Sequence, residues 1–361
     1  MKTRALSIAL SAGLVCGIAF ADEGEAGAGA GSGAVDAPTP GNVVRMSSRN
    51  EEEEKTGVHL FVTANQSVGT GTFVDPNSYG DISTGIIFAP SYAFDFKGIR
   101  LMATGRWLFS YEYTLPQNPT GRRYNWSDLQ FGLSAPRVFT ERHTGVSVSP
   151  SIGLSAPISY TSQWNGSVTN LALGAGFSRS FIHDRLTVNY RLGGSHGFFI
   201  HPAVIVSTST GGSSDANGNP IFLCRASDTY CASNGMNTDW TVSNTVSVDF
   251  KITEKLSVAA SYWLTNTWRY AAADGTDIYT PQAVDSSGNP VANSGMGRTD
   301  SVVTSLSANY ELTRYVNLSA GTYTTSPPKT MDNQGFRNPF FDTISWASNL
   351  TTFYFSVAVR L

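Results

Sequence analysis

The chain has 361 residues, of which 14% are charged and 12% aromatic, and it combines a net charge of −3 with a mean hydropathy of −0.12. A soluble domain carries about 25% charged residues, so this composition argues against an ordinary cytosolic enzyme. Beyond the N-terminus no apolar run approaches the roughly 20 residues of a spanning helix, which argues against a helical membrane protein. The 41% of hydrophobic residues argue against disorder, and the lack of a basic tract argues against nucleic-acid binding. An all-β protein remains, a class that includes barrels with a lipid-facing exterior.

The first 21 residues have the pattern of a secretory signal peptide. Lys2 and Arg4 precede an apolar stretch over residues 5–20, and Ala19-Phe20-Ala21 supplies a small-x-small cleavage site. Cys16 raises the alternative of a lipoprotein, but the residue before it is a valine, where lipoprotein processing prefers Gly, Ala or Ser. We therefore expect export through the inner membrane and cleavage after Ala21.

Residues 22–56 differ in composition from the rest of the chain. They are rich in Gly and Ala over 26–34, continue through Pro38 and Pro40, and contain an acidic run at Glu51–Glu54. This composition favours a flexible, solvated tail. The alternative is a segment that enters a pore and plugs it.

Two cysteines follow the signal peptide, Cys224 and Cys231, in a stretch rich in Gly, Ser and Asn. In an oxidising compartment they are expected to form a small disulfide that closes a loop. A metal site would need further ligands, and nearby only His201 could serve. The sequence therefore indicates neither a metal nor a cofactor.

From residue 57 onward the dominant pattern is an alternation of apolar and polar residues with a period of two, which is typical of strands with two different faces. Near residue 147, for example, one face carries serines and glycine while the other carries valine, isoleucine and leucine. Twelve segments follow this pattern, at about 57–66, 84–96, 99–113, 124–136, 144–158, 168–181, 186–200, 239–252, 255–270, 300–312, 315–325 and 347–361.

Short links alternate with long ones between these segments, and the long links carry the turn-forming dipeptides. This layout predicts a transmembrane antiparallel up-and-down β-barrel of about twelve strands. The polar faces carry Ser, Thr, Gly and Asn rather than the Lys and Glu of a soluble sandwich. Fourteen strands would result if the apolar run Ala203–Val206 and a partner also entered the membrane. Tyr124 and Trp126 share the parity of Asp128, so they should face the lumen unless a bulge intervenes.

The C-terminus carries a resemblance to the Gram-negative outer-membrane β-barrel class, of porin-like or channel-like proteins. Hydrophobic residues alternate up to the chain end like the signal that the barrel-assembly machinery reads, at Phe353, Phe355, Val357, Val359 and Leu361. Leu361 departs from the usual terminal Phe. The resemblance covers 57–361 and implies an outer-membrane location, lipid and the assembly machinery as partners, periplasmic short turns and extracellular long loops. It identifies no single family.

If the alternation holds, the inward-facing charges are few and of both signs. They are Arg100, Arg106, Glu112, Asp128, Arg191, Asp249, Lys251, Arg269 and Glu311. One interpretation is a transverse field that screens solutes, and the other is a set of ion pairs that closes the lumen. Arg106 and Arg191, near mid-strand, are the best candidates for a constriction. Glu112 and Asp128 are expected to pair locally with Arg122 and Arg123.

These features predict a channel or transporter for small polar or weakly polar solutes, with a hydroxyl-rich lumen. One alternative is a barrel enzyme that hydrolyses lipid or peptide through a rim histidine, His196 or His201. Ser195 and His196 are adjacent on a strand, so their side chains should point to opposite faces and cannot form a nucleophile–base pair. A second alternative is an adhesin or structural barrel with a closed lumen. We expect the protein not to be an enzyme.

Overall fold

The structure is a computed structural model that describes residues 57–69, 82–113, 123–201, 203–207, 230–272, 283–284, 290–291, 295–326, 328, 338–340 and 351–361. Almost all of the described chain is β-strand, with one short helix between two of the strands. The signal peptide and the 22–56 segment lie outside the described residues, as does Cys224.

The strands run in chain order, with the helix α1 at Tyr160–Trp164 between β7 and β8. Their bounds are β1 Gly57–Gly69, β2 Ile82–Phe96, β3 Ile99–Glu112, β4 Tyr124–Trp126, β5 Leu129–Ser134, β6 Phe139–Thr140, β7 Ser147–Ala156, β8 Ser167–Phe181, β9 Leu186–Phe199, β10 Ala203–Ser207, β11 Tyr230–Met236, β12 Thr238–Lys251, β13 Leu256–Ala272, β14 Ala283–Val284, β15 Pro290–Val291, β16 Gly295–Thr313, β17 Val316–Ser326 and β18 Thr351–Arg360.

These strands close into an antiparallel barrel of twelve strands, in which β4, β5 and β6 together make one interrupted strand. Each barrel strand pairs with its neighbour along the chain, and β1 closes the cylinder on β18 over the register Phe61↔Arg360 to Gly69↔Thr352. Closure leaves no unpaired sheet edge. The predicted barrel is confirmed, with strand bounds close to those read from the alternation.

The wall has an apolar outer face and a polar inner face because side chains alternate along each strand. On β18, Phe353 and Phe355 point outward and are 49% and 50% exposed, whereas Tyr354 and Ser356 between them point inward and are 4% and 0% exposed. Cross-strand partners share a face, so the same division continues around the barrel. Among the described residues, no helix is long and apolar enough to cross a membrane.

A β-bulge separates β4 from β5. It decides whether Tyr124 and Trp126 face the lumen or the outside of the barrel. Trp126 lies opposite Phe109 of β3, whereas Gln130 lies opposite Arg106, so four steps on one strand match three on the other. The Ser127 hydroxyl accepts the Leu108 N–H at 3.0 Å and holds the irregular turn in place. The extra residue places Tyr124 and Trp126 on the outer face, beside Phe109 and Tyr111, rather than in the lumen.

The β10–β11 hairpin is a separate two-stranded sheet and does not join the barrel. The fourteen-strand alternative is therefore wrong, and the apolar run at Ala203–Val206 instead continues the chain beyond β9 as a hairpin. The two strands of the hairpin pair only with each other, in an antiparallel ladder of their own.

One patch of the outer wall is polar and covered. Thr304, Thr324 and Thr351 lie side by side on the outer face of β16, β17 and β18, yet they are at most 1% exposed. Thr304 donates to the Pro339 carbonyl, and Thr324 donates to the Phe340 carbonyl at 3.0 Å. The long link between β17 and β18 therefore lies against the outside of the wall at this point and satisfies hydroxyls that would otherwise face an apolar surrounding.

The short turns between strands are stabilised locally. Lys97 and Gly98 have φ values of 49° and 80°, and the turn after β8 has three consecutive residues with positive φ, Ile182, His183 and Asp184. In the turn before β7, Glu141 accepts the backbone N–H groups of His143, at 2.9 Å, and Thr144. The Thr144 side-chain hydrogen bond, followed by these backbone hydrogen bonds, holds the pKa of the Glu141 carboxyl below its usual value.

Candidate functional site

The inner wall presents small polar side chains and glycine over much of its area. On β7, Ser149 and Ser151 point inward and lie opposite Gly176 and Gly174 of β8. The same rows continue through Arg191 and Gly193 of β9. These positions follow the predicted alternation, because each lies two residues from the next along its strand.

Arg106 and Arg191 lie near the middle of β3 and β9 with their side chains on the inner face. The Arg106 Nη1 group donates to Gln130 Oε1 at 3.3 Å, and the Arg191 Nη2 group donates to Ser151 Oγ at 3.3 Å. Gln130 belongs to β5 and Ser151 to β7, which are neighbouring strands. The two guanidinium groups therefore lean toward the same side of the barrel.

Asp128 has a different role from the one predicted for it. Its carboxylate is 6% exposed; it accepts the Ser159 N–H at 2.7 Å and the Ser162 hydroxyl. Ser159 is the N-cap of α1, so the carboxylate lies where the free N–H groups of a helix begin. Asp128 is therefore buried against α1 and is not one of the exposed charges of the inner face. Its contacts with Ser159 and Ser162 also replace the local arginine pairing that we predicted for it.

The other candidate charges are spread between the two ends of the barrel. Near the short turns, Arg100 Nε lies 3.1 Å from Asp95 Oδ1, with both side chains more than one-third exposed. Toward the long loops, Glu112 ends β3 and lies opposite Ser83. Arg269 donates to the Met236 carbonyl at 2.7 Å. None of these three predicted lumen residues lies at mid-strand.

Three further inward charges lie close to the short-turn ends of their strands. Asp249 and Lys251 are the last inward residues of β12, and Glu311 is close to the end of β16. Asn189 of β9 donates to Asp249 Oδ2 at 3.4 Å. The ends of the inner face therefore carry charged groups of both signs, whereas Arg106 and Arg191 lie near its middle.

His196 faces outward at the long-loop end of β9, between Phe198 and Trp240. Its ring lies 4.5 Å from that of Phe198 and 4.4 Å from that of Trp240. Its Nδ1 is hydrogen-bonded to the backbone carbonyl of Asp239 at 2.9 Å, and the Asp239 Oδ1, which has no hydrogen-bond partner, also lies 2.9 Å from Nδ1. Ser195 lies opposite Ala172 and Thr241 on the inner face. The two adjacent residues therefore point to opposite sides of the wall, as the alternation requires.

A buried asparagine that the sequence analysis missed joins three segments at the long-loop end. Asn237 is 1% exposed, and its Nδ2 donates to the Asn165 carbonyl at 2.9 Å and to the His201 carbonyl at 3.0 Å. Its own carbonyl accepts the Tyr270 N–H at 2.9 Å. The only sequence signal was an asparagine directly before a strand, which is too common to single out.

The remaining predicted site residues are placed as follows. Cys231 lies in β11, but the predicted disulfide with Cys224 falls outside the described residues. On β18, Phe353, Phe355, Val357 and Val359 point outward in register with β1 and β17, and Leu361 follows the last strand residue. The Leu361 N–H donates to the Leu60 carbonyl at 2.9 Å, so the chain end is hydrogen-bonded into the closing seam.

No protein-family model matches the chain, and no curated protein matches it. An outer-membrane channel from Pseudomonas putida F1 is similar over 88% of this chain and 100% of its own, at 10% identity and a TM-score of 0.48. The NanC porin is similar over 84% of this chain and 100% of its own, at 9% identity and a TM-score of 0.40. The translocator domain of the autotransporter NalP from Neisseria meningitidis covers 86% of this chain and 90% of its own, at 12% identity and a TM-score of 0.36.

Proposed function

We propose that the protein is an outer-membrane channel or transporter that passes small polar or weakly polar solutes through its lumen. The observation that carries this proposal is the closed wall with an apolar outer face and a more polar inner face, on which serine, threonine and glycine are frequent. Half-exposed aromatic residues around a whole barrel would be unfavourable in water, whereas lipid covers them. The short turns then face the periplasm and the long loops face the outside.

The strand number supports a lumen that can hold a solute. Barrels of eight strands are filled by their own side chains, and barrels of 16 to 18 strands enclose an aqueous channel. A twelve-stranded barrel lies between these limits, so the size of the inward side chains decides how much space is left. Here many of them are serine and glycine, which leave room for water and for a small solute.

The test is the conductance of the full mature chain, refolded and inserted into planar lipid bilayers. We expect discrete current steps, both with residues 22–56 present and with them deleted. Comparison of these two proteins also tests the role of the tail, because deletion of a segment that plugs the pore would raise the conductance. Absence of discrete steps from both proteins, each shown to be folded and inserted, would overturn the proposal.

A rim enzyme is the second candidate, and the observation that favours it is the position of His196 at the outer edge with Asp239 Oδ1 2.9 Å from its Nδ1. A histidine beside a carboxylate is a common arrangement in general-base catalysis. If this pair hydrolyses lipid, His196→Ala should abolish turnover of phospholipid in vesicles. His183→Ala, in a short turn at the opposite end, is the matched control and should retain it. Absence of any lipid turnover by the unmodified chain would reject this candidate.

A further inference from the structure

The short turns of the barrel carry a ring of exposed cations. One lies in each of the turns between β2 and β3, between β6 and β7, between β8 and β9, between β12 and β13, and between β16 and β17. A further exposed cation lies close to the end of β8. We call these residues the basic collar, and they are Lys97, Arg142, Arg179, Arg185, Lys255 and Arg314.

Three cations of the basic collar lie over the face of a neighbouring aromatic ring. The distances from the charged group to the ring centre are 5.4, 4.6 and 4.5 Å in the pairs Lys97 with Phe96, Arg179 with Phe181, and Arg314 with Tyr315. The electron-rich face of a ring attracts a cation at such distances. The pairs belong to β2, to β8 and to the turn before β17, so they surround the barrel rather than form a single patch.

Apolar side chains extend to the tips of the same turns. Phe96 and Ile182 are 54% and 61% exposed, and Ile99 and Ile252 are exposed as well. Exposed apolar surface of this kind is unfavourable in water and is covered when lipid surrounds the barrel. Aromatic rings and long cationic side chains both favour the level of the lipid headgroups. The basic collar therefore lies where one surface of the membrane meets water.

Carboxylates near the basic collar do not balance its charge. Where the structure is described, the three cations that lie over rings form no ion pair. The five short turns contain three carboxylates, Glu141, Asp184 and Glu254. The Glu141 carboxylate accepts backbone N–H groups of its own turn. Positive charge at this end of the barrel is therefore available to an anionic partner.

The long-loop end has a comparable cation that is already neutralised. Arg298 lies 5.4 Å from the ring centre of Trp268 on the outer face. It also donates to both carboxylate oxygens of Asp300, at 2.8 and 3.1 Å. Arg298 therefore has the same type of ring contact as the basic collar but a paired charge, which makes it a matched control.

We propose that the basic collar binds the phosphate groups of anionic phospholipids in the membrane leaflet at the short-turn end. A guanidinium donates two parallel N–H groups to two phosphate oxygens, which a single ammonium group cannot do. The ring beside each cation contacts the apolar region just below the headgroup. The proposal concerns the lipid and not the solute, so it goes beyond the proposed channel function and holds whether or not the barrel conducts.

The test is a lipid competition on the full mature chain, refolded in detergent. The protein is mixed with equal amounts of phosphatidylglycerol and phosphatidylcholine that have identical acyl chains, and the bound lipids are counted by native mass spectrometry. We expect phosphatidylglycerol to be bound in about fivefold excess or more, the effect of one cation near an anionic surface. The combined variant Lys97→Gln, Arg179→Gln and Arg314→Gln should bind both lipids almost equally, whereas Arg298→Gln should keep the excess.

A second variant separates charge from packing. Arg179→Lys combined with Arg314→Lys keeps the positive charges, so it should retain at least half of the phosphatidylglycerol excess. All of these side chains are exposed, so each variant should fold, which circular dichroism verifies. The proposal is overturned if the glutamine variant keeps the excess, if Arg298→Gln loses it equally, or if the lysine variant loses all of it.

The acidic run Glu51–Glu54 is the competing partner within the chain, because it precedes β1 at the same end of the barrel. If this run occupied the basic collar, the mature chain would show no preference for phosphatidylglycerol, and the preference would arise only after deletion of residues 22–56. That result would overturn the assignment to lipid. An equal preference with and without residues 22–56 supports it.

Discussion

The close approach of β16 and β17 at Gly321 makes Gly321→Ala a severe test of the fold. A Cβ at this position would lie 2.2 Å from the Leu306 carbonyl oxygen and 2.9 Å from the Ser307 Cα, both of which are backbone atoms. Relief to ordinary contact distance needs a strand separation of about 1 Å. Such a shift weakens about two ladder hydrogen bonds at roughly 1 kcal/mol each and adds about 1–3 kcal/mol of overpacking. We expect a loss of about 3–5 kcal/mol in the free energy of unfolding.

Gly194→Ala is the matched control, because the nearest atom to its added Cβ is the Thr241 carbonyl oxygen at 3.9 Å. Reduced backbone freedom in the unfolded chain should leave this variant within about 1 kcal/mol of the parent or slightly more stable. Both are measured by urea unfolding of protein refolded into lipid vesicles, followed by tryptophan fluorescence. A Gly321→Ala variant within about 1 kcal/mol of the parent would refute the close strand approach.

Three further outcomes follow from single contacts. Asp128→Ala removes a buried carboxylate that accepts the Ser159 N–H. Amide hydrogen exchange of the α1 segment should therefore accelerate roughly 30-fold, which corresponds to about 2 kcal/mol. An unchanged exchange rate would contradict the role of Asp128 at the start of α1. Thr324→Val keeps the side-chain shape but removes the hydroxyl that donates to the Phe340 carbonyl. Limited proteolysis of the link between β17 and β18 should therefore become faster. An unchanged proteolysis rate would argue against the contact of this link with the outer wall. The Glu141 carboxyl has a lowered pKa in the folded protein, so its stabilisation of the turn is present above the usual carboxyl pKa and lost as pH falls through the folded value. In NMR spectra, Glu141→Gln should remove this pH dependence from the turn amides.

The alternation was sufficient to predict the barrel because it is a local property of each strand. A side-chain period of two assigns each residue to one face without knowledge of its neighbours, and Arg106 and Arg191 were placed inward on that basis alone. The strand containing Asp128 shows where this reasoning ends. One extra residue at a bulge reverses the parity of everything beyond it, and the composition of Ser127-Asp128 does not reveal the bulge.

The candidate site was predictable only in part, for a related reason. The sequence indicates which side chains enter the lumen, but not which of them lie beside one another. That depends on the cross-strand register, which brings Gly132 opposite Gly153 and places Tyr323 beside Tyr354. Asn237 escaped notice because its partners, Asn165 and His201, are distant in sequence.

The sequence by itself determined the fold class and the face of the wall to which most residues belong, since the period of the alternation and the chain order are both properties of a single chain. The tertiary structure alone decided that Asp128 accepts hydrogen bonds at the start of a helix and that the β10–β11 hairpin stays out of the barrel. The physical reason is that these contacts join residues far apart in the chain. Folding of the wall brings such residues together, and no local sequence pattern indicates which of them will meet.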